Sequence, residues 1–295
     1  MKRTAILIAL MALGVTAHAE RFLVDHEVVV PFELSVSMGL VDGTTHIHKY
    51  GVNDVVTTST DPETIWDSGG VYPYDANSTT NIKYISSDSL ADTNITIQVQ
   101  GLDIDGAAVT QTATANGTNV VTLTTPLWRV FRMKNTSAYT NAGTLYCHTA
   151  AAPTAGDPDA ADTRATIEVG HGQTFMAVYT IPAGCVGFVA HIEAGIELTG
   201  ASPAAAVQYA NIHFSAREYG KTFLVKKTFT CISGGNTSFH ARPEIPLRFP
   251  SLTDLQISVD EVSATMGAWG AFDVLLVEEE MLTTAFLTSI GQPGY

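Results

Sequence analysis

His46 and His48 stand two residues apart. On an extended strand that spacing sends both imidazoles to one side, where they can share a metal ion. No third ligand stands near them in sequence, and the competing reading is a pair that hydrogen-bonds locally or faces water. Asp103 and Asp105 before Gly106 have the look of a calcium loop. The further oxygen ligand and the closing glutamate of such a loop are missing, so the segment reads as the turn of a hairpin. Trp66, Tyr72 and Tyr74 interleave with Asp67 and Asp75. Such a mixture of aromatics and carboxylates can bind a sugar by stacking and hydrogen bonding. With Pro73, Gly69 and Gly70 between them, the same residues can equally form an ordered loop that packs onto its own sheet.

Other chemistry is quiet. The chain has no Gly-x-Ser-x-Gly elbow, no His-Glu-x-x-His, no phosphate-cradling Gly-x-x-x-x-Gly-Lys-Ser/Thr loop and no Gly-x-Gly-x-x-Gly. Catalytic carboxylate pairs leave no local signature, and among 29 acidic residues any pair can be imagined. No catalytic residue, metal or cofactor is therefore expected, and the chain reads as a non-enzyme. Cys147, Cys185 and Cys231 are odd in number and widely spaced, which fits buried thiols better than a disulfide framework or a zinc site.

Strands carry most of these residues. Ile95, Ile97 and Val99 alternate with Thr96, Gln98 and Gln100; Thr110, Thr112 and Thr114 repeat at period two beyond Asp105-Gly106. Residues 94–115 thus predict a hairpin, and Asn116-Gly117 a further turn. Val186, Phe188, Ala190 and Ile192 alternate, as do Leu255, Ile257 and Val259. The stretch 271–277 is apolar almost throughout, which predicts burial on both faces, and Asp273 within it needs a partner. Thr60, Pro62 and Glu63 predict one helical turn over 60–67. Glu278, Glu279 and Glu280 before Met281, Leu282, Ala285 and Phe286 predict a short C-terminal helix.

Residues 150–162, rich in alanine, proline and aspartate, are the best linker candidate, the alternative being a long surface loop. Lys2 and Arg3 before an apolar run at 5–15 and a small-residue stretch to Ala19 form a signal-like pattern, too short to span a bilayer. The expected organisation is a signal-like segment at 1–19, an N-terminal β domain at 20–149, a linker at 150–164 and a C-terminal jelly-roll-like domain at 165–295. The fold class is all-β, two β-sandwich or jelly-roll-like halves with a short C-terminal helix. The net charge of −14, which becomes −16 if Lys2 and Arg3 leave with residues 1–19, argues against nucleic acid as a partner.

Several segments carry a resemblance, among them Gln100-Gly101-Leu102-Asp103 with Val109-Thr110-Gln111-Thr112, Leu252-Thr253-Asp254-Leu255-Gln256-Ile257 and the following. His46-Ile47-His48-Lys49-Tyr50-Gly51, followed by Pro62-Glu63-Thr64-Ile65-Trp66-Asp67-Ser68-Gly69-Gly70-Val71-Tyr72-Pro73, is similar to an IHKFG and PEDIWDGGG-YP segment of tailed-phage virion structural proteins frequent in marine phages. Thr180-Ile181-Pro182-Ala183-Gly184 resembles the TIPAGKTGY segment of that group. The likeness runs over most of residues 38–278. It implies a virion component such as a capsid decoration, head-fibre or tail-associated protein, located in the virion, acting as a homo-oligomer and beside other virion structural proteins. The alternative, resting on residues 1–19, is a secreted or periplasmic β-sandwich surface protein that binds polysaccharide. Phe286 and Tyr295, in an apolar tail, are the expected oligomer contacts.

Overall fold

A computed structural model of the chain describes residues 31–57, 62–76, 79–197, 207–233, 235 and 237–282. Residues 1–19, Phe286 and Tyr295 lie outside the described residues. The chain divides into two compact units, 1–42 and 43–295. In the first, helix α1 (Phe32–Ser37) follows Pro31 and ends where Gly39 turns to a φ of 66°.

In the second unit the chain makes β1 (Thr44–Val56) and β2 (Glu63–Thr64) and then a run of shorter strands. These are β3 (Ile82–Ser87), β4 (Thr96–Leu102), β5 (Ala108–Thr114), β6 (Val121–Leu127), β7 (Arg129–Asn135), β8 (Leu145–His148) and β9 (Thr163–Ile167). The remainder is β10 (Val178–Thr180), β11 (Cys185–Glu197), β12 (Tyr209–Arg217), β13 (Leu224–Ile232), β14 (Ser238–Ala241), β15 (Leu247–Phe249), β16 (Asp254–Val262) and β17 (Met266–Glu278). A helical turn opens at Glu279, and its described part reaches Leu282.

The strands build two sandwiches, one inserted into the other. Sheets β6-β3-β8-β9 and β5-β4-β7 contain only residues 82–167. They enclose a core that includes Ile85, Ile97, Val99, Leu127, Met133 and Cys147. The outer sandwich pairs β1-β17-β11-β14, with β15 on β11, against β10-β16-β12-β13, with β2 on β16. Its core includes Ile192, Phe214, Ile257, Phe272 and Val274. Both fit the all-β, double-sandwich expectation.

The division between the halves is corrected. β1, from the N-terminal half, pairs antiparallel with β17, and β2 pairs with β16, so 20–149 is not a separate body. Nor is 150–164 a linker. It joins β8 to β9, which pair directly, and Thr149 N donates to Asp162 O at 3.1 Å to close the loop. Ser86 Oγ holds the loop down by donating to Gly156 O at 2.6 Å. The sequence lacked periodicity there because the backbone is satisfied by turns and not by a ladder.

The helical turn expected at 60–67 is also absent from its described part: Glu63 and Thr64 are strand β2. The Glu63 carboxylate caps the end of β1, accepting from Thr57 N at 2.9 Å and Thr57 Oγ1 at 2.8 Å. The hairpin at 94–115 is β4 and β5 in register from Thr96↔Thr114 to Leu102↔Ala108. Its turn is tied by Asp103 Oδ1, which accepts from Asp105 N at 3.0 Å and Ala107 N at 2.9 Å, so that carboxylate serves the turn. β17 is buried on one face only, since Trp269, Asp273, Leu275 and Val277 on the other are partly exposed.

Candidate functional site

The aromatic loop faces inward. Trp66 is 2% exposed and donates its indole N–H to Gly70 O at 3.2 Å, and Tyr72 donates to Val130 O at 3.2 Å. Their rings meet edge to face with centroids 5.0 Å apart, and Tyr72 meets Tyr74 the same way at 4.7 Å. Asp75 binds Arg164 at 2.8 Å. Asp67 Oδ2 accepts from Phe175 N at 2.9 Å, while its Oδ1 is enclosed without a hydrogen-bond partner. Burial pushes the Asp67 carboxyl up to about 7, against the hydrogen bonds from Phe175 and Thr166. Trp66, Asp67, Tyr72, Tyr74 and Asp75 therefore pack the loop, and neither Trp66 nor Tyr72 offers a ring face to a sugar.

Beside this loop, Arg129 and Arg217 converge on Asp254. Arg129, on β7 of the inserted sandwich, donates from Nε and Nη2 to the two Asp254 oxygens at 2.9 and 3.2 Å. Arg217, on β12 of the outer sandwich, donates to Oδ2 at 3.0 and 2.6 Å, and Thr180 Oγ1 donates to Oδ1 at 2.6 Å. Tyr74 lies under both guanidinium groups, 5.2 Å from Arg129 and 4.6 Å from Arg217. One buried carboxylate thus clamps the two sandwiches together.

A buried serine and histidine also meet. His148 Nε2 lies 2.9 Å from Ser86 Oγ. Ser86 spends its own proton on Gly156 O, so the imidazole must donate to it, the reverse of what a general base does. Both residues are fully enclosed, and burial lowers the His148 pKa to about 4. The pair is a packing device. The thiols are similar: all three are free, and burial pushes Cys147 up to about 12 and Cys231 to about 11. Raised thiols of this kind are poor nucleophiles.

The constellation that reaches solvent lies on the outer face of the β1-β17-β11-β14 sheet. Its centre is Asp273. His46 Nε2 and His48 Nδ1 lie 3.0 and 2.8 Å from Asp273 Oδ1, and His191 Nδ1 lies 3.1 Å from Oδ2. Strand alternation puts His46 and His48 on one face, and cross-strand register places His48 opposite Asp273. β11 brings the third histidine by a bulge between Val189 and His191, which sets His191 opposite Asp273 on the other side. One carboxylate between three imidazoles accepts from each, because an ionised carboxylate can only accept. Burial works against ionisation of Asp273, but the hydrogen bonds from His48, His191 and His46 outweigh it and hold the carboxyl below its usual range.

The same face continues across β14. Glu193, two residues beyond His191, stands opposite His240, and His240 Nδ1 lies 2.8 Å from Glu193 Oε2. The His191 and His240 rings are parallel to within 1°, with centroids 6.0 Å apart. Further along, Trp269 lies flat across Gly195, where any Cβ would sit 2.5 Å from the indole. Tyr50 stands beside that indole at 6.4 Å. Four histidines, two carboxylates and two aromatics therefore share one accessible sheet face. The sequence pointed to His46, His48 and the need of Asp273 for a partner; it did not point to His191, Glu193 and His240, whose only local signal is the i, i+2 spacing of the first two.

No protein-family model matches the chain, and no curated relative does. Among solved structures, the crystal structure of the infectious bursal disease virus VP2 subviral particle aligns with 11% identity over 84% of this chain and 78% of that chain, at a TM-score of 0.17. The 2.6 Å structure of infectious bursal virus derived T=1 particles aligns with 11% identity over 85% and 79%, at a TM-score of 0.19. Likeness this slight carries no argument about this chain. Among the described residues no helix is long and apolar enough to cross a membrane.

Proposed function

We propose that this chain is a non-enzymatic virion structural protein, such as a capsid decoration or a head-fibre or tail-associated component, that works through its surfaces as a homo-oligomer and against other virion proteins. The phage-like segments in both halves of the sequence support the virion setting. The observation that carries the surface reading is strand β13. It ends the β10-β16-β12-β13 sheet, and among the described residues no strand pairs with its outer edge. Seven of its nine residues are exposed, Leu224 at 58% and Val225 at 53% among them. A long edge of this kind is a template for another chain.

Its chemistry is selective. Lys226 and Lys227 lie on the edge, and Lys221 stands close by in sequence with Glu218, in a chain whose net charge is −14. A groove of about 550 Å³ opens beside it, lined by Ala216, Leu224 and Phe249 together with Lys221, Lys226 and one acid, Glu218. The occupant that suits both is an acidic, partly apolar segment of a second copy, while a second basic edge is refused. The test is sedimentation velocity on the full chain. Concentration-dependent oligomers are expected that disperse in high salt and disappear in a Leu224→Lys, Val225→Lys variant with an unchanged β spectrum. A full chain that stays monomeric at high concentration and binds no capsid-like particle overturns the reading.

A further inference from the structure

We propose that His191, Glu193 and His240 bind a divalent transition-metal ion of the zinc or nickel type on the outer face of the β1-β17-β11-β14 sheet. This assignment is independent of the virion reading. It rests on how strand geometry gathers ligands. Residues i and i+2 of one strand share a face, and the residue directly opposite on the neighbouring strand lies about 5 Å away at Cβ. His191 and Glu193 are such a pair on β11, and His240 is the residue opposite Glu193 on β14. One donor atom from each lies within 4.8 Å of the other two, so small side-chain rotations bring all three to bonds of about 2.0–2.2 Å.

The donor set selects the ion. Two imidazoles and one carboxylate suit zinc, nickel or copper(II), whereas calcium and magnesium take oxygen ligands in larger number. The ion would take the place of the proton that now bridges His240 Nδ1 and Glu193 Oε2, that proton passing to Nε2 or to solvent. Asp273 supplies the supporting shell. By accepting the His191 Nδ1 proton at 3.1 Å it leaves the lone pair of that ring on Nε2 and fixes the ring plane. Carboxylates placed behind metal-bound histidines do the same, and losing one typically costs about 10–100-fold in affinity. Asp273 is itself held by His46 and His48, which gives those histidines an orienting role and not a ligand role.

The site is open. Three protein donors leave at least one coordination position, and His240 is 62% exposed at its side chain, so the remaining position faces water or a donor from another molecule. All three side chains project from the outward sheet face, so changing them leaves the core of the sandwich intact.

Isothermal titration of the untagged full chain with Zn²⁺, and absorption spectroscopy with Co²⁺ as a reporter, test the proposal. One ion per chain and the intense visible bands of a four-coordinate Co²⁺ site are expected. Glu193→Gln and His240→Ala should each weaken binding by more than about tenfold, and Asp273→Asn by about 10–100-fold. His213→Ala, on the other sheet, should leave affinity unchanged. Absence of saturable binding overturns the assignment, as does equal affinity in the parent and in Glu193→Gln and His240→Ala. Loss of binding in His46→Ala, His48→Ala with retention in His240→Ala overturns it as well, because the ion would then sit on Asp273 and its own histidines.

Discussion

Replacing Asp254 by alanine removes the carboxylate that two guanidinium groups share at the junction of the sandwiches. Five hydrogen bonds are lost, two from Arg129, two from Arg217 and one from Thr180. Charge-assisted bonds are each assigned about 1.5–3 kcal/mol, and a simple sum would rival the whole stability of a typical domain, so it cannot be the answer. The arginines respond differently. Arg217 is 24% exposed at its side chain and can swing to water, whereas Arg129, at 2%, is trapped. Arg129 keeps its bond to Asp75 O at 2.9 Å and its stack over Trp128 at 4.1 Å, but not its counter-charge. The cost is therefore that of one uncompensated buried charge, about 3–5 kcal/mol. Urea denaturation followed by tryptophan fluorescence reads it directly, because Trp128 sits against the clamp. Adding Arg129→Met to an Asp254→Leu background should recover more than half of the loss, since apolar replacement of a buried pair is often neutral. A loss below about 1 kcal/mol in Asp254→Ala, or a double variant no better than the single one, would mean that Arg129 is not left as an uncompensated buried charge.

Two further outcomes are expected. Trp66→Ala should destabilise by about 3–5 kcal/mol, the usual range for a large aromatic removed from a core, and an unchanged urea midpoint would show that the ring is not structural. Asp67 is the pH probe. Its folded pKa is raised to about 7, so its contribution is fully present below the unfolded value of about 3.9 and is lost as pH rises through 7. Asp67→Asn should flatten the stability profile between those limits; a profile that falls over the same window in the variant excludes Asp67 as its source.

How much was legible depended on where the information lay. The 94–115 hairpin could be read because alternation and turn residues are local, and so could the packing alternative for the Trp66 loop, from the prolines and glycines within it. The need of Asp273 for a partner was also legible, from one charge in an apolar strand. Its partners were not, for they come from β1 and β11, far apart in sequence. The bulge at Ala190 adds a shift of register that alternation does not announce: Val189 and Ile192 both face the core across it, and His191 comes to stand opposite Asp273. The segment 60–67 failed for the opposite reason. Its capping pattern was locally sound, but Glu63 found better donors at Thr57 than a helix terminus could offer. The 150–164 boundary failed because a loop and a linker share a composition, and only the pairing of β8 with β9 tells them apart.

The nesting of one sandwich inside the other sets an order of events during synthesis. The sheets of the inserted sandwich pair only strands between 82 and 167, and its core is completed by Trp66 and Tyr72 before that stretch and by Met176 and Val178 just after it, so all of its parts have emerged long before β17. β1 must wait. Thr44 pairs with Val277, and nothing between them can stand in for β17, so the first strand of the unit stays without its ladder until the last has been made. Closing so long a loop costs little more than closing a short one, because the entropy grows only with the logarithm of length. The burden falls on time, since contacts of such long range form slowly and leave a hydrophobic edge uncovered meanwhile. An insert with its own two sheets puts a compact body in place of more than eighty residues of loose chain between β2 and the strands that follow.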